Sequence, residues 1–190
     1  MTISVLLSVY KSENPSYLDR ALQSVWTDQT LKPDEIVLIE DGPLSDILLA
    51  VIQKWKDLLS DKLLVLRNEQ NLGLTKSLNK GIQYIKSDLI ARMDSDDISE
   101  PTRFEKQVGY LEEHPEVDVV GGSLQEFNEG NDCLNIRHYP QTPDESRKYI
   151  VKASPLAHPT VMIRRRVFDT GIRYNEKYRT CQDVALWFKL

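Results

Sequence analysis

Short apolar runs alternate with amphipathic segments over the first hundred residues of the chain. The runs are nearly continuous and rich in β-branched residues, which is typical of strands buried on both faces of a sheet. Between them, apolar residues recur at helical spacing. We predict strands at 2–10, 34–42, 62–68 and 87–94, and helices at 14–29, 44–59 and 74–85.

This alternation predicts parallel strands joined by crossover helices, which is an α/β sandwich. In open sheets of this kind, ligands bind beyond the carboxyl ends of the strands. Acidic residues lie at the ends of two of the predicted strands, namely Glu40 and Asp41 at the second, and Asp94, followed by Asp96 and Asp97, at the fourth. We therefore expect these carboxylates to converge on one cleft at one edge of the sheet.

The pattern changes after residue 100. We expect a helix opened by Pro101, strands within 117–139 with an Asn/Gly turn near 128–131, and a helix near 143–152. The apolar stretch 158–165 follows, and residues 182–190 resemble the opening of a helix. No capping glycine or proline stops that last helix, so we expect the natural protein to be longer.

Composition and charge indicate which kinds of binding partner the protein is not expected to have. The 190 residues are 41% apolar and 28% charged, which is typical of one soluble globular domain. The net charge of −5 lies in residues 1–100, where 16 acidic residues face 11 basic ones. With no large basic patch, a nucleic-acid partner is not expected. Cys133 and Cys181 form no CxxC pattern, which argues against a zinc site.

The only basic run is Arg164, Arg165 and Arg166. Three interpretations are open for it: a solvated helix start, which is favoured, a contact with a membrane surface, or a contact with phosphate. No apolar stretch reaches the ~20 residues that a membrane span needs. Peripheral association with a membrane therefore stays an alternative, and a spanning anchor is not expected within this sequence.

Three interpretations also compete for the acidic cluster at 94–97. It is a plain turn, a calcium loop closed by Glu105, or a divalent-metal site for a phosphorylated ligand. The calcium spacing is poor because Ile98 and Ser99 occupy positions that such loops give to a ligand and a glycine. The position at a strand end favours the metal site. Since GxxxxGK[ST] and GxGxxG are absent, the metal is expected to neutralise a diphosphate.

Six segments together resemble the family 2 glycosyltransferases: "SVYKSE", "IEDGP", "NLGLTKSLNKGI", "ARMDSDDISEPTRFEKQ", "SPLAHPTVMIRR" and "QDVALW". The resemblance covers the whole chain. It implies a GT-A fold, which is a three-layer α/β sandwich with a mostly parallel mixed central sheet. It also implies one domain over 1–190, with a nucleotide-binding half at 1–97 and an acceptor-side half at 98–190 that is incomplete at its C-terminus.

The resemblance further implies residue roles. Asp94 and Asp96 form the DxD pair that holds Mn²⁺ or Mg²⁺, Asp97 supports the loop, and Asp183 is the catalytic base. Asp41 reads the nucleotide base by accepting from a ring N–H. The residues implied to bind the nucleotide sugar are Ser8, Tyr10, Glu13, Asp41, Asn71, Gly73, Lys76, Asn79, Asp94 and His158.

Several of these residues keep a structural alternative. Asn71 and Gly73 form a strand-to-helix connection with Asn71 as the cap, or they touch the nucleotide. Asn79 is exposed or reaches the nucleotide pocket, and His158 is an ordinary partly buried histidine or a donor contact. From residue chemistry alone, Asp183 is a first-turn acid favoured by the helix dipole. Trp187, one turn on, packs that helix or borders the acceptor.

The resemblance implies an inverting transfer from a nucleotide-diphospho-sugar, expected to be a UDP-sugar, to a glycan or a lipid-linked acceptor. It places the enzyme in the cytoplasm, at the inner face of the membrane. Two alternatives remain at this point: a sugar nucleotidyltransferase and a non-catalytic module that binds nucleotide sugars. The absence of glycine from "SVYKSENP" counts against the first, because such enzymes use a glycine-rich loop there.

Overall fold

A six-stranded mixed sheet forms the centre of the protein, which a computed structural model describes over residues 1–128 and 132–190. The spatial order of the strands is β3-β2-β1-β4-β8-β5. Strands β1 to β4 run parallel, and β8 is antiparallel to both of its neighbours. The strands are β1 (Ile3–Val9), β2 (Glu35–Glu40), β3 (Leu63–Arg67), β4 (Leu89–Arg92), β5 (Val119–Val120) and β8 (Met162–Arg164). The predicted α/β class and the first four strands are confirmed.

Helices cover both faces of this sheet. Alternate residues of β1 separate to opposite faces, because successive side chains of a strand point in opposite directions. Val5 and Leu7 pack in one apolar core with α1, α2 and α4, whereas Leu6 packs in the other with α3, α6 and α7. The helices are α1 (Pro15–Val25), α2 (Asp46–Leu59), α3 (Leu74–Ile82), α4 (Arg103–Glu113), α5 (Pro143–Tyr149), α6 (Arg166–Asp169) and α7 (Gln182–Trp187). Three layers result, as expected.

The start of α1 follows the sequence signals, and its end does not. Asn14 accepts from the backbone N–H of Ser16 at 2.9 Å, so it caps the helix as predicted. The prediction that the helix continues to residue 29 is wrong, because it ends at Val25. Gln29 instead turns back and donates from its side-chain amide to the carbonyl oxygen of Ser24 at 2.7 Å. A side chain thus satisfies a carbonyl at the helix end.

The other helices are also shorter than predicted: α2 begins at Asp46 and not at residue 44, and α3 ends at Ile82 and not at residue 85. Pro101 lies in a turn, and α4 begins two residues later, at Arg103. The helix expected to reach residue 152 ends at Tyr149, while its start carries a capping box between Thr142 and Glu145. These differences lie at helix ends, where the periodic apolar signal fades and local side-chain bonds decide the boundary.

Beyond α4 the chain adds a small antiparallel hairpin, made of β6 (Leu124–Phe127) and β7 (Cys133–Arg137). Every residue of β7 is exposed. The Asn/Gly turn predicted near 128–131 lies, for its residues 129–131, outside the described part of the chain.

The arginine run, which begins at the last residue of β8, is structural and is not merely a solvated helix start. Arg164 is half-buried and donates to the carbonyl oxygens of Leu111 and Val117, the latter at 2.7 Å. Arg166 pairs with Asp118 at 2.6 Å. The favoured interpretation is therefore wrong for Arg164, which holds the chain at the end of α4. Among the helices in the two described ranges, none is both long enough and apolar enough to cross a bilayer.

Candidate functional site

The loops that follow β1 and β4 meet at the carboxyl edge of the sheet. Because β1 pairs in parallel with both β2 and β4, the ends of all three strands lie at this edge. Ser95, in the acidic loop, donates a hydrogen bond to the carboxylate of Glu13. The other oxygen of Glu13 accepts from the backbone N–H of Asn14 at 2.8 Å. The strands that lead to Asp41 and Asp94 thus end at one edge of the sheet, as predicted, and Glu13 braces one loop against the other.

Asp41 builds the turn that precedes α3. Its side chain is buried, and its two oxygens accept from the backbone N–H groups of Leu72 at 2.8 Å and Gly73 at 2.9 Å. Gly73 is the N-cap of α3 and has no side-chain cap bond, so the alternative with Asn71 as the cap is wrong. Asn71 is exposed at the same turn. A carboxylate from β2 thus supplies the acceptors that a capping side chain would provide.

Gly42 is required where this turn touches the end of β2. Its φ of +89° lies in the left-handed region, which costs little only for glycine. A Cβ atom at this position would lie 2.6 Å from the backbone nitrogen of Asn71. The close approach brings the loop at 70–73 against the strand end, within reach of the Asp41 carboxylate.

Asn68 joins the same network and was not singled out from the sequence. Its side-chain amide donates to Asp41 at 3.0 Å and to the hydroxyl of Ser77 at 2.9 Å. Its oxygen accepts from the ammonium of Lys80 at 3.0 Å. A signal was present, because Asn68 directly follows β3, as Asp41 directly follows β2. The group aligns β2, β3 and α3 at the carboxyl edge.

Arg92 lies beneath the acidic cluster and was also missed. Its side chain is 2% exposed and forms an ion pair with Asp94, whose carboxylate is 37% exposed. Arg103 donates to the carbonyl oxygen of Arg92 at 2.8 Å, which fixes the strand end. An arginine inside the apolar run 89–93 was the available signal, because a fully buried charge is rare unless it is paired.

The three acids of the cluster differ in environment. Asp96 is exposed, and its carboxylate makes no hydrogen bond or ion pair to any residue in the described ranges. Asp97 is half-buried. Loss of solvent, followed by the negative charges of Asp94 and Asp96, raises the pKa of Asp97 to about 6. The loop therefore concentrates more negative charge than Arg92 compensates.

This donor set fits Mn²⁺ or Mg²⁺. Carboxylate oxygens suit these hard ions, which take one or two carboxylates and complete their shell with phosphate oxygens and water. No group of three His, Cys, Asp or Glu side chains that could hold a metal occurs within 1–128 and 132–190. Two acids at an exposed loop match an ion that is shared with a diphosphate better than a closed structural site.

His158, Tyr174 and Trp187 form a buried wall beside the cluster. Nε2 of His158 lies 2.9 Å from the hydroxyl of Tyr174, and the His158 ring meets that of Trp187 edge-on. Burial, and then the positive charge of Arg92, lowers the pKa of His158 well below its usual value. The histidine is therefore neutral near pH 7. Trp187 is buried and packs its helix, as one of its two interpretations predicted.

Asn79 anchors that wall. It is buried, so the exposed alternative is wrong. Its amide donates to the carbonyl oxygen of Tyr174 at 2.9 Å and to Glu176 at 3.1 Å, and its oxygen accepts from the backbone N–H of Tyr174. The structure thus places Asn79 between α3 and the segment 174–176, with its polar atoms bonded to protein.

Asp183 is the second residue of α7 and is half-buried. The hydroxyl of Ser154 is 3.0 Å from its carboxylate. Burial raises the pKa of Tyr174, and both Asp183 and Asp94 add to that increase against the opposing effect of Arg92. Tyr174 is therefore within electrostatic reach of both the acidic loop and Asp183. Ser154 was missed, and no sequence pattern links it to Asp183.

The other expected binding residues lie at or near the same edge. Tyr10 is 48% exposed just beyond β1, and Lys76 is exposed in the first turn of α3. Ser8 is half-buried within β1, opposite Ile39 of β2. Their side chains remain accessible, in contrast to those of Asp41 and Asn79.

Residues 4–172, most of the chain, match the description "Glycosyl transferase family 2". The chain belongs to glycosyl transferase family 2. It is 39% identical over 188 residues to the amylovoran biosynthesis glycosyltransferase AmsE of Erwinia amylovora, covering 98% of this chain and 68% of the relative. It is 34% identical to the UDP-Gal:alpha-D-GlcNAc-diphosphoundecaprenol beta-1,3-galactosyltransferase of Escherichia coli, covering 98% of this chain and 66% of that one. The predicted family is thereby confirmed.

The family 2 fold is shared with solved structures. The crystal structure of S. aureus TarS 1-349 in complex with UDP-GlcNAc superposes with a TM-score of 0.75 at 23% identity, covering 100% of this chain and 53% of that one. The predicted GT-A fold is confirmed. This family 2 chain spans about two thirds of the length of the curated relatives named above and about half of the TarS structure.

Proposed function

We propose that this family 2 chain transfers a sugar from a UDP-sugar to a hydroxyl of a glycan or a lipid-linked acceptor. The transfer inverts the configuration at the anomeric carbon. One observation carries the proposal: an acidic loop, Asp94 to Asp97, is fixed at the carboxyl edge of the sheet and carries uncompensated negative charge. A dication between this loop and a diphosphate would satisfy both partners. The family membership supplies the reaction class.

Asp96 and Asp94 would hold Mn²⁺ or Mg²⁺. Asp96 has an exposed carboxylate and would be the primary ligand, while Asp94, which pairs with Arg92, would be the second. When bound, the ion supplies positive charge that stabilises the diphosphate as a leaving group. Asp97 would support the loop from its half-buried position. Its raised pKa of about 6 agrees with this role.

The nucleoside would occupy the edge between β1 and α3. Tyr10, Asn71 and Lys76 have exposed side chains, Ser8 and Gly73 are half-buried, and all five would contact the nucleoside. The carboxylate of Asp41 is largely engaged by backbone N–H groups. Each carboxylate oxygen accepts two hydrogen bonds, so Asp41 retains capacity for one base N–H while it shapes the turn.

Asp183 would act as the general base. It takes the proton of the acceptor hydroxyl as that oxygen forms a bond to the anomeric carbon of the donor sugar. The bond between this carbon and the diphosphate oxygen breaks, and the leaving diphosphate keeps the electron pair. Attack from the face opposite the leaving group inverts the configuration. His158, being neutral and buried, lines this space together with Trp187.

The Escherichia coli relative, by its name, uses UDP-galactose and a diphosphoundecaprenol acceptor. That supports a UDP donor and an acceptor of the lipid-linked class for this chain. A lipid-linked acceptor would place the reaction at the inner face of the membrane, reached from the cytoplasm.

Calorimetric titration of UDP, with and without Mn²⁺, tests the metal site. We expect Mn²⁺ to raise the affinity of the unaltered chain about tenfold or more, or ~1.4 kcal/mol. Asp96→Asn should remove that increase, while Asp61→Asn, in the turn that leads into the amino end of β3, should retain it. Equal affinities with and without Mn²⁺ in the unaltered chain would rule out the metal site.

Turnover of UDP-sugars tests the base. Asp183→Asn should bind UDP as the unaltered chain does and should lose turnover by about 10²-fold or more. Undiminished turnover in this variant would refute the assignment of Asp183 while leaving the metal site standing.

A further inference from the structure

We propose that Ser154 is the positioning residue of Asp183 and stabilises it in both of its protonation states. This inference rests on the proposed function, in which Asp183 takes up a proton. It gives a role to Ser154, which opens the segment "SPLAHPTVMIRR" but to which the resemblance assigned no role.

The geometry places one hydroxyl between two acceptors. The oxygen of Ser154 lies 3.0 Å from Oδ2 of Asp183 and 2.8 Å from the carbonyl oxygen of Leu156. Ser154 and Asp183 are 29 residues apart, and both are half-buried. The contact therefore joins the segment before His158 to the first turn of α7 and orients the carboxylate.

A serine hydroxyl has a single proton and two lone pairs, so it cannot donate to both acceptors at once. When Asp183 is ionised, the hydroxyl donates to its carboxylate, which is a charge-assisted hydrogen bond. When Asp183 has taken a proton, the new O–H donates to the Ser154 oxygen. The serine hydroxyl then turns to the carbonyl oxygen of Leu156, and every polar group remains satisfied.

The titratable groups around Asp183 do not compete for the proton that it takes from the acceptor hydroxyl, so that proton stays between Asp183 and Ser154. Burial raises the pKa of Tyr139 and of Tyr174, so both phenols remain protonated in the range of an assay. Burial also lowers the pKa of His158, which stays neutral. Arg92 is a cation that acts on both His158 and Tyr174, and it pairs with Asp94. Among these groups, Asp183 is the carboxylate that the half-buried hydroxyl of Ser154 contacts.

The test compares Ser154→Ala with Ser154→Thr. Loss of the hydroxyl should lower kcat about tenfold and move the acid limb of the kcat/KM profile up by about one pH unit, because the ionised form loses its donor. KM for the donor and the calorimetric affinity for UDP should stay within twofold. Ser154→Thr retains a hydroxyl and should restore most of kcat and the position of the acid limb.

Thr160→Val is the matched control. Thr160 lies in the same segment, and its hydroxyl donates to the carbonyl oxygen of Ala157 at 2.8 Å without contacting Asp183. This variant should leave the acid limb where it is in the unaltered chain. A shift of equal size in Thr160→Val would show that loosening of the segment, and not the Ser154 hydroxyl, is responsible.

A second measurement needs no turnover. Carboxyl ¹³C resonances of aspartate, with that of Asp183 assigned by its loss in Asp183→Asn, report the titration of Asp183 directly. Its midpoint should lie at higher pH in Ser154→Ala than in the unaltered chain. Coincident titration curves in the two proteins would overturn the role of Ser154. Full turnover in Asp183→Asn would instead overturn the proposed base, so the two failures are distinguishable.

Discussion

Arg92 and Asp94 form an ion pair across the end of β4, with the guanidinium almost entirely buried and the carboxylate partly exposed. The pair joins the apolar interior of the sheet to the acidic loop. Removing one partner of such a pair leaves the other without compensation, which costs more than an exposed pair contributes.

Arg92→Met is therefore expected to lower the free energy of unfolding by about 2 kcal/mol. The acids at 94, 96 and 97 would then repel one another without a buried cation. Urea denaturation measures the change. Arg147→Met, which removes an exposed pair with Asp144, should alter stability by less than about 0.5 kcal/mol. Similar losses in the two variants would contradict a special role for the buried pair.

Asp41→Asn should lower the free energy of unfolding by about 2 kcal/mol and also weaken UDP binding. An amide nitrogen cannot accept from the N–H groups of Leu72 and Gly73, so the turn before α3 loses a charge-assisted bond. Chemical denaturation and calorimetry give the two quantities.

Asp34→Asn is the matched control for that change. Asp34 accepts from the backbone N–H of Ile3 at 2.7 Å, which is the same kind of contact at the opposite edge of the sheet. We expect a stability loss of about 1 kcal/mol with unchanged UDP affinity. Equal weakening of UDP binding in both variants would mean that Asp41 acts only through global stability.

Gly42→Ala is expected to destabilise the chain by about 2 kcal/mol or more, because it combines a positive φ with a Cβ that meets the backbone of Asn71. Gly109→Ala is its counterpart. Gly109 lies inside α4 with open space around its Cα, and alanine there should raise stability by about 0.5–1 kcal/mol. The midpoints of thermal unfolding should move in opposite directions, and a shared direction would contradict the strained turn.

The burial of neutral His158 predicts a loss of stability at acidic pH. Its folded pKa is lowered, so below about pH 6.5 the unfolded chain binds a proton that the folded chain does not. That contribution falls by up to about 1.4 kcal/mol per pH unit as the pH drops. Above about pH 6.5, His158 is neutral in both the folded and the unfolded chain, so it does not make stability depend on pH.

His158→Gln should remove this contribution, so the difference in unfolding free energy between the two proteins should shrink or reverse between pH 7 and pH 5. The difference is the informative quantity, because Asp97, with its pKa raised to about 6, acts in the opposite direction in both proteins. Tyr174→Phe keeps the histidine and should keep the pH dependence. A constant difference across this range would contradict a neutral His158.

The sheet and its strand ends were predictable because short, nearly continuous apolar runs are typical of strands buried on both faces. The first four strands and the placement of Asp41 and Asp94 at one edge followed from alternation alone. The limits of the helices were less predictable. Gln29 ends α1 through a bond of its own side chain, and such a bond depends on the fold around it.

The hydrogen-bond partners of the site residues could not be predicted from the sequence either, because they too depend on the surrounding fold. Asp41 was expected to face a nucleotide, yet its oxygens accept from backbone N–H groups of a loop about 30 residues away. Asn79 lies mid-helix in a motif, and its partner Tyr174 is 95 residues distant. Arg92 differs, because a charged residue within an apolar run is a visible signal.

Gln29 also holds the segment of chain that leaves the acidic loop. Its amide donates to the carbonyl oxygen of Glu100 at 2.9 Å, and its oxygen accepts from the backbone N–H of Phe104. The chain that leaves the acidic loop is thereby attached to the end of α1. The conformational entropy of this loop is lost once, when the chain folds. In the proposed function, an ion and a nucleotide would therefore meet a surface that is already ordered, and their binding free energy would not be reduced by having to immobilise it.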